Sequence, residues 1–277
     1  MEKKVMKKKI NWGAHILLII GAITMIIPFL WMILTAGKTI SESTIVPPTI
    51  FPESFQWIHF KEVWEMFPFL AFYWNTFLMI IGRVFFSLLF SAMAAYACAR
   101  LKFPGRNLFF AMVLIQMMIP GQIFLTPQYM LAQKLHILNT IPGLILPGFV
   151  SAIGTFLLRQ FFLSLPNELE EAAVLDGASI WQIFSRIMLP LARSGLIALG
   201  IFTALFAYKD LMWPLIVNTS IDKMTLSSGL ANLQGQFSTN YPQLMAGSLL
   251  AIWPMIVLFL IFQKQFIEGI ASTGGKL

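Results

Sequence analysis

Apolar residues fill six stretches of this chain: Trp12–Leu34, Phe69–Ala99, Leu108–Pro127, Leu144–Phe162, Leu191–Val217 and Leu244–Phe262. A helix needs about 20 such residues to cross about 30 Å of hydrocarbon. The pattern therefore predicts an all-α integral membrane protein with six transmembrane helices. The second and fifth stretches are long enough to tilt or to run beyond the bilayer. Thr225–Gln243 is also uncharged, but Ser227, Ser228, Asn232, Gln234, Gln236, Ser238, Thr239 and Asn240 make it too polar for lipid. It reads as an outer-face loop with a short amphipathic helix. The first stretch exceeds the roughly 7–15 apolar residues of a cleaved leader and lacks a small-residue cleavage site, so it reads as a signal anchor.

Composition agrees. Of 277 residues, 58% are hydrophobic and 11% charged, against about a quarter charged in soluble domains. A soluble enzyme, a disordered chain and a fibrous chain are excluded. One cysteine, Cys98, rules out an internal disulfide, and His15, His59 and His136 are scattered without metal-ligand spacing.

Charge location then sets the orientation. With a cytoplasmic N-terminus, the inner segments carry thirteen Lys or Arg, from the run Lys3–Lys9 through Arg100, Lys102, Arg106, Arg159, Arg186, Arg193 and Lys264 to Lys276. The outer segments carry Lys38, Lys61, Lys134 and Lys223, and Arg83 and Lys209 fall inside spans. By the positive-inside rule both termini face the cytoplasm. The basic tail is thus an orientation signal rather than a nucleic-acid arm. The implied division is a tail over 1–11, a first transmembrane helix over 12–34 and an outer loop over 35–68. A five-helix core over 69–263 and a cytoplasmic tail over 264–277 follow.

One inner segment has its own design. Residues 164–190 read SLPNELEEAAVLDGASIWQIFSRIMLP. Pro166 suits a first helical turn, and Glu168, Glu170 and Glu171 sit where the helix dipole favours negative charge. Asp176-Gly177 stops that helix, glycine accepting the left-handed conformation. Ser179 with Gln182 forms a capping-box pattern opening a second helix, which would place Ile180, Ile183, Phe184 and Ile187 on one apolar face. Residue chemistry alone leaves two readings, an interfacial anchor or a docking knob for a cytoplasmic partner.

The same residues resemble a known family. Glu171-Ala172-Ala173, three residues, Gly177, nine residues, Ile187, one residue and Leu189-Pro190 is similar to the EAA motif of permease subunits of binding-protein-dependent ABC importers. Ala95-Tyr96-Ala97 with Arg100, Phe103, Gly105 and Arg106 fits as well, as do Pro120, Pro127, Asn139-Thr140, Pro147, Trp213-Pro214-Leu215-Ile216 and Met245-Ala246-Gly247-Ser248. The tail from Gln263, with Gly269, Gly274 and Gly275, resembles the carbohydrate-uptake branch. Relatives usually carry Gly at the position of His136 and Trp-Asn at Tyr208-Lys209.

The resemblance implies the type I importer fold in a bacterial plasma (inner) membrane. It implies a second homologous permease, two ATP-binding cassette subunits, and an extracellular or periplasmic sugar-binding protein. Glu171, Ala172, Ala173, Asp176, Gly177, Ala178, Ile187, Leu189 and Pro190 would form the coupling helix region that engages the ATPase. ATP and Mg would be bound by that partner, with no cofactor in this chain. The sequence agrees: near Gly269–Lys276 the spacing of a phosphate-binding loop fails. A secondary transporter is the alternative. It would show inverted repeats with broken helices, and no matched pair of proline-interrupted spans is visible. A membrane enzyme would need clustered His or carboxylates.

Arg83, Lys209 and Asp210 are the intramembrane charges. A charge near the bilayer centre costs about 2.5–3.5 kcal/mol or more and so faces the bundle interior or water. An Arg83–Asp210 pair would fix packing. Alternatively, the long side chains snorkel to the outer interface, or Lys209 lines a translocation path, with Arg83, Asp210 and Asn75 as the other candidates. In that case the excess positive charge would favour a sugar bearing a carboxylate.

Overall fold

The computed structural model describes residues 12–234 and 239–274. The basic run Lys3–Lys9, Lys276 and the loop residues Gln236 and Ser238 lie outside the described residues. Those described are helical, with no strand among them and one isolated bridge between Gln234 and Thr239. In chain order the helices are α1 (Trp12–Ala36), α2 (Ile58–Met66), α3 (Phe69–Arg100), α4 (Arg106–Met118), α5 (Leu125–Lys134), α6 (Ile141–Ile145) and α7 (Ala152–Ser164). Then come α8 (Glu168–Leu175), α9 (Ile180–Ile183), α10 (Arg193–Lys209), α11 (Met212–Val217), α12 (Leu226–Ala231) and α13 (Tyr241–Gly274).

Three of the six expected spans are unbroken: α1, α3 and the part of α13 over Tyr241–Lys264. The other three are bent pairs, each long and apolar enough to cross as one broken span. The third expected span turns by 103° between Met118 and Gly121. Pro120 has no N–H to continue the ladder and drives Ile119 into extended geometry (φ −87°, ψ 127°). The fourth bends by 49° between Ile141–Gly148 and Ala152–Ser164, where Ser151 Oγ accepts the Gly154 N–H at 2.9 Å and opens α7.

The fifth expected span, Leu191–Val217, is corrected at its end. Its bent pair is Ile180–Leu191 and Arg193–Lys209, with a 76° bend at Ala192, and the second arm stops at Lys209. Asp210 is extended there, and its Oδ1 accepts the Trp213 N–H at 3.3 Å, so a new helix, α11, starts in another direction. The 17 residues of α10 still rise about 26 Å, close to the hydrocarbon thickness.

The chain divides into two compact units, one comprising the residues up to Met66 with Leu233–Ile252, the other Phe67–Asn232 with the residues from Trp253 onward. In the first unit α1 is apolar on all sides and exposes Leu17, Leu18 and Met25, as a lipid-facing helix does. The Lys38 side chain is buried there, under Trp31 (4.8 Å to the ring centroid) and donating to the Thr49 carbonyl. Gln243 Nε2 donates to Glu62 Oε2 at 2.9 Å.

In the second unit α3 is the central helix and packs chiefly against α7 and α10. Its inward stripe repeats every four residues, Asn75, Met79, Arg83, Ser87, Ser91 and Ala95, all buried. Residues four apart share a helix face, and the small ones let neighbouring backbones approach closely, the usual device where lipid offers little hydrophobic drive. Part of the polar loop is tied to this helix: Thr76 Oγ1 accepts the Leu226 N–H at 2.9 Å, so α12, the short helix expected there, is pinned to α3.

Candidate functional site

The hairpin 164–190 is built by local hydrogen bonds that its sequence dictates. Glu168, Glu170 and Glu171 occupy the first turn of α8. The helix starts at Glu168, two residues after Pro166. At its other end the Gly177 N–H donates to the Val174 carbonyl at 3.0 Å and the Ala178 N–H to the Ala173 carbonyl at 2.9 Å. With Gly177 at φ +80° this is the Schellman arrangement, which satisfies the helix's last carbonyls. Ser179 and Gln182 then exchange both capping-box bonds, at 3.3 and 2.8 Å, and α9 begins. Its continuation widens into a π turn over Phe184–Met188. Pro190, following at once, cannot donate back to the Arg186 carbonyl, and such widened turns occur where the ladder is interrupted.

One side of the hairpin is welded to the bundle. Ala173, Ile183, Phe184 and Met188 are buried in a cluster with Ala92, Ala95, Tyr96 and Ala99 of α3, Leu158 and Phe162 of α7, and Leu199 of α10. Ile187, Leu189 and Ala178 pack on its edge. The guanidinium of Arg100, at the end of α3, donates to the carbonyls of Phe162 and Leu165 and to Asn167 Oδ1, clamping the chain where it enters the hairpin. The other side is bare. Glu171, Ala172, Asp176, Gly177 and Pro190 are exposed, and Leu175 and Trp181 are 88% and 59% exposed, beside exposed Val174 and Ile180. Ile180 thus stands outside the buried apolar face expected for that helix. Apolar side chains held in the open on a rigid support are the makings of an interface.

A second constellation lies around Arg83. Its Nη1 meets Asp210 Oδ2 at 2.8 Å and its Nε donates to the Leu144 carbonyl at 2.8 Å. Asp210 also holds the start of α11 and, through its own carbonyl, accepts the Ser227 hydroxyl at 2.6 Å. One pair thus ties α3 to the α10–α11 break and to α6. Beside it is a cleft of about 450 Å³ lined by Arg83, Ser87, Ser151, Thr203, Lys209 and Asp210 among others. Lys209 is exposed. Asn75 is not part of that lining. Its amide is committed to the carbonyls of Asp222 and Met224, both at 2.9 Å.

Sequence reasoning missed Ser87 and the clamp made by Arg100. The first was signalled by its place one turn beyond Arg83 on the same helix face. The second leaves no sequence signal beyond a basic residue at a helix end. Among the described residues no group of three or more His, Cys, Asp or Glu is placed to hold a metal ion.

Residues 87–271, about two thirds of the chain, match the model of the family described as binding-protein-dependent transport system inner membrane component. The chain is 43% identical over 208 residues to the arabinooligosaccharides transport system permease protein AraQ of Halalkalibacterium halodurans, covering 74% of this chain and 75% of that one. It is 31% identical over 268 residues to the sn-glycerol-3-phosphate transport system permease protein UgpE of Pectobacterium atrosepticum, covering 94% and 95%. The diacetylchitobiose uptake system permease protein NgcG of Streptomyces coelicolor is 31% identical over 265 residues, covering 94% and 87%. In fold the chain is similar to a bacterial ABC transporter involved in the import of the acidic polysaccharide alginate. The TM-score is 0.78 at 21% identity, over 92% of this chain and 96% of that one. Three unbroken candidate spans with three bent pairs, the EAA spacing on a built hairpin and a family match over most of its length make this chain a member of the binding-protein-dependent transport system inner membrane components.

Proposed function

We propose that this chain is one of two homologous permease subunits of an ATP-driven importer of oligosaccharides, with both termini in the cytoplasm. An extracellular or periplasmic binding protein delivers the solute, and one ATPase subunit docks under the hairpin 164–190 of each permease. The relatives named for arabinooligosaccharides and diacetylchitobiose support the solute class. The observation that carries the coupling role is the exposed apolar tip Val174, Leu175, Ile180 and Trp181 on a support buried against α3, α7 and α10.

The mechanism follows from that support. An ATPase surface that closes on nucleotide displaces α8 and α9 together, because the Schellman turn and the capping box join them. Protein interiors are close-packed and transmit such displacement rather than absorbing it. Ala173 and Phe184 press on Tyr96 and Phe162, so α3 and α7 move with the hairpin. Further along α3 the same helix carries Arg83, whose bonds reach the α10–α11 break. ATP and its Mg ion belong to the partner in this scheme, and this chain supplies a lever and part of the path.

The test is purification of the complex through a tag on this chain. The ATPase subunit should come with the wild type. Leu175→Asp, which puts a charge at the tip while leaving the buried cluster untouched, should reach the membrane and lose the ATPase and transport. Normal ATPase recovery and uptake in that variant would make the hairpin an interfacial anchor only.

A further inference from the structure

We infer that the cleft beside Arg83 is a solute subsite built for an oxyanion, so that the molecules passing this permease bear a carboxylate or a phosphate. The inference rests on the importer reading above and goes beyond it in naming the charge of the solute.

Two donors stand unfilled there. Arg83 is buried, and its Nη2 has no hydrogen-bond partner although Nη1 and Nε are both engaged. The hydroxyl of Ser87, one turn further along α3 and 1% exposed, also has none. Buried polar groups are ordinarily satisfied, and exceptions mark a missing partner. Both oxygens of the nearest carboxylate are already engaged: Asp210 Oδ2 accepts from Arg83, and Oδ1 accepts the Trp213 N–H. Lys209, on the same cleft, forms no salt bridge among the described residues. The cleft therefore holds two cationic side chains against one anionic one, with donors outnumbering acceptors. Gly148, opposite, leaves space for the Arg83 side chain: a Cβ there would lie 2.4 Å from Arg83 Cγ.

A neutral sugar would supply hydroxyls to the donors but leave the excess positive charge of the cleft unopposed. A carboxylate or phosphate supplies both acceptors and charge, and charge-assisted bonds of this kind are the stronger ones. The cleft's volume, about 450 Å³, matches the size range of pockets for small solutes.

The experiment uses the complete transporter with its binding protein in proteoliposomes. The probes are a pectin hydrolysate split by anion exchange into acidic and neutral oligosaccharide pools, and sn-glycerol 3-phosphate. Uptake of an acidic probe should exceed that of the neutral pool, the uronate pool and the phosphate separating the two sources of the oxyanion. Lys209→Gln and Ser87→Ala should each raise its KM by about tenfold, with kcat changed less than KM, as loss of a charge-assisted contact does. Preference for the neutral pool with an unchanged KM in both variants would overturn the subsite and leave the importer reading intact. Failure of Lys209→Glu to assemble, with normal kinetics in Lys209→Gln, would assign the lysine to a carboxylate of the second permease and overturn it too. A purified complex without an ATPase subunit, driven by no probe, would overturn the importer reading instead.

Discussion

Arg83 and Asp210, 127 positions apart in the chain, meet at 2.8 Å with side-chain exposures of 8% and 22%. That asymmetry decides how the pair responds to mutation. Asp210→Asn leaves a buried guanidinium without its counter-charge, at a cost of about 3–5 kcal/mol. Arg83→Met leaves a carboxylate that water can reach, so its cost should be nearer 1–2 kcal/mol. Thermal unfolding of the purified complex, or the yield of folded protein, should rank Asp210→Asn below Arg83→Met. The reverse order would mean that the pair's burial is carried by Asp210.

Gly148 makes the same point from the other side. Its added Cβ would fall 2.4 Å from Arg83 Cγ and 2.7 Å from Cβ, the stem of a side chain held at both Nη1 and Nε. Gly148→Ala should therefore cost about 1–3 kcal/mol, as overpacking does. Combined with Arg83→Ala, the loss should be smaller than the two single losses added, since the contacts with Cγ and Cδ are gone and only that with Cβ remains. Additive losses in that double-mutant cycle would place the strain elsewhere.

His136 shows what was legible in the sequence and what was not. The resemblance marks this position as usually glycine, and the structure gives the reason: His136 sits at φ +55° in the left-handed region. Likewise Gly177 and the pair Ser179–Gln182 could be read directly, because caps and turns are local and their geometry follows from residue type. The broken spans could not be placed by hydropathy, which counts apolar residues and is blind to direction. Pro120 and the Ser151 cap stand at two of the breaks, but only the packing around them fixes bends of 103° and 49°. The Arg83–Asp210 pair was an open alternative for the same reason, since helix rotation decides which charges meet. His136→Gly should stabilise the protein by up to about 1 kcal/mol, relief of left-handed strain being partly offset by a freer unfolded chain. A melting temperature that falls instead would show that the imidazole makes a stabilising contact.

The first unit should respond to acid. Glu62 accepts a hydrogen bond from Gln243, and this, with the nearby His59, holds its carboxyl below the ordinary value of 4.5 despite opposing burial. A carboxyl depressed on folding contributes stability above its unfolded value and loses it as pH falls through the folded one. Protection factors of the amides over 58–66 and 241–245, which remove the intrinsic pH dependence of exchange, should therefore fall on acidification below about 4.5. In Gln243→Leu that fall should be smaller, because a carboxyl returned toward its ordinary value loses less stability on acidification. Identical profiles for the two proteins would show that the hydrogen bond does not hold the carboxyl down.

Gly177 gives the most direct measure of the hairpin's stiffness. An added Cβ there would meet nothing within 4 Å, so a substitution is opposed by backbone conformation alone, at φ +80°. An L-residue pays about 1–2 kcal/mol in that region, and a β-branched one is the least tolerant of it. Gly177→Val should open the Schellman bonds to Ala173 and Val174 and release α8 from α9, while Ala173, Ile183 and Phe184 stay buried. Membrane insertion and thermal stability should then change little, whereas solute-stimulated ATP hydrolysis in the assembled transporter should fall steeply. Gly177→Asn, which accepts the left-handed conformation more readily, should retain most of that stimulation. Equal loss in both variants would point to contact with a partner surface at residue 177 rather than to the turn. Full activity in both would mean that α8 and α9 need not move together.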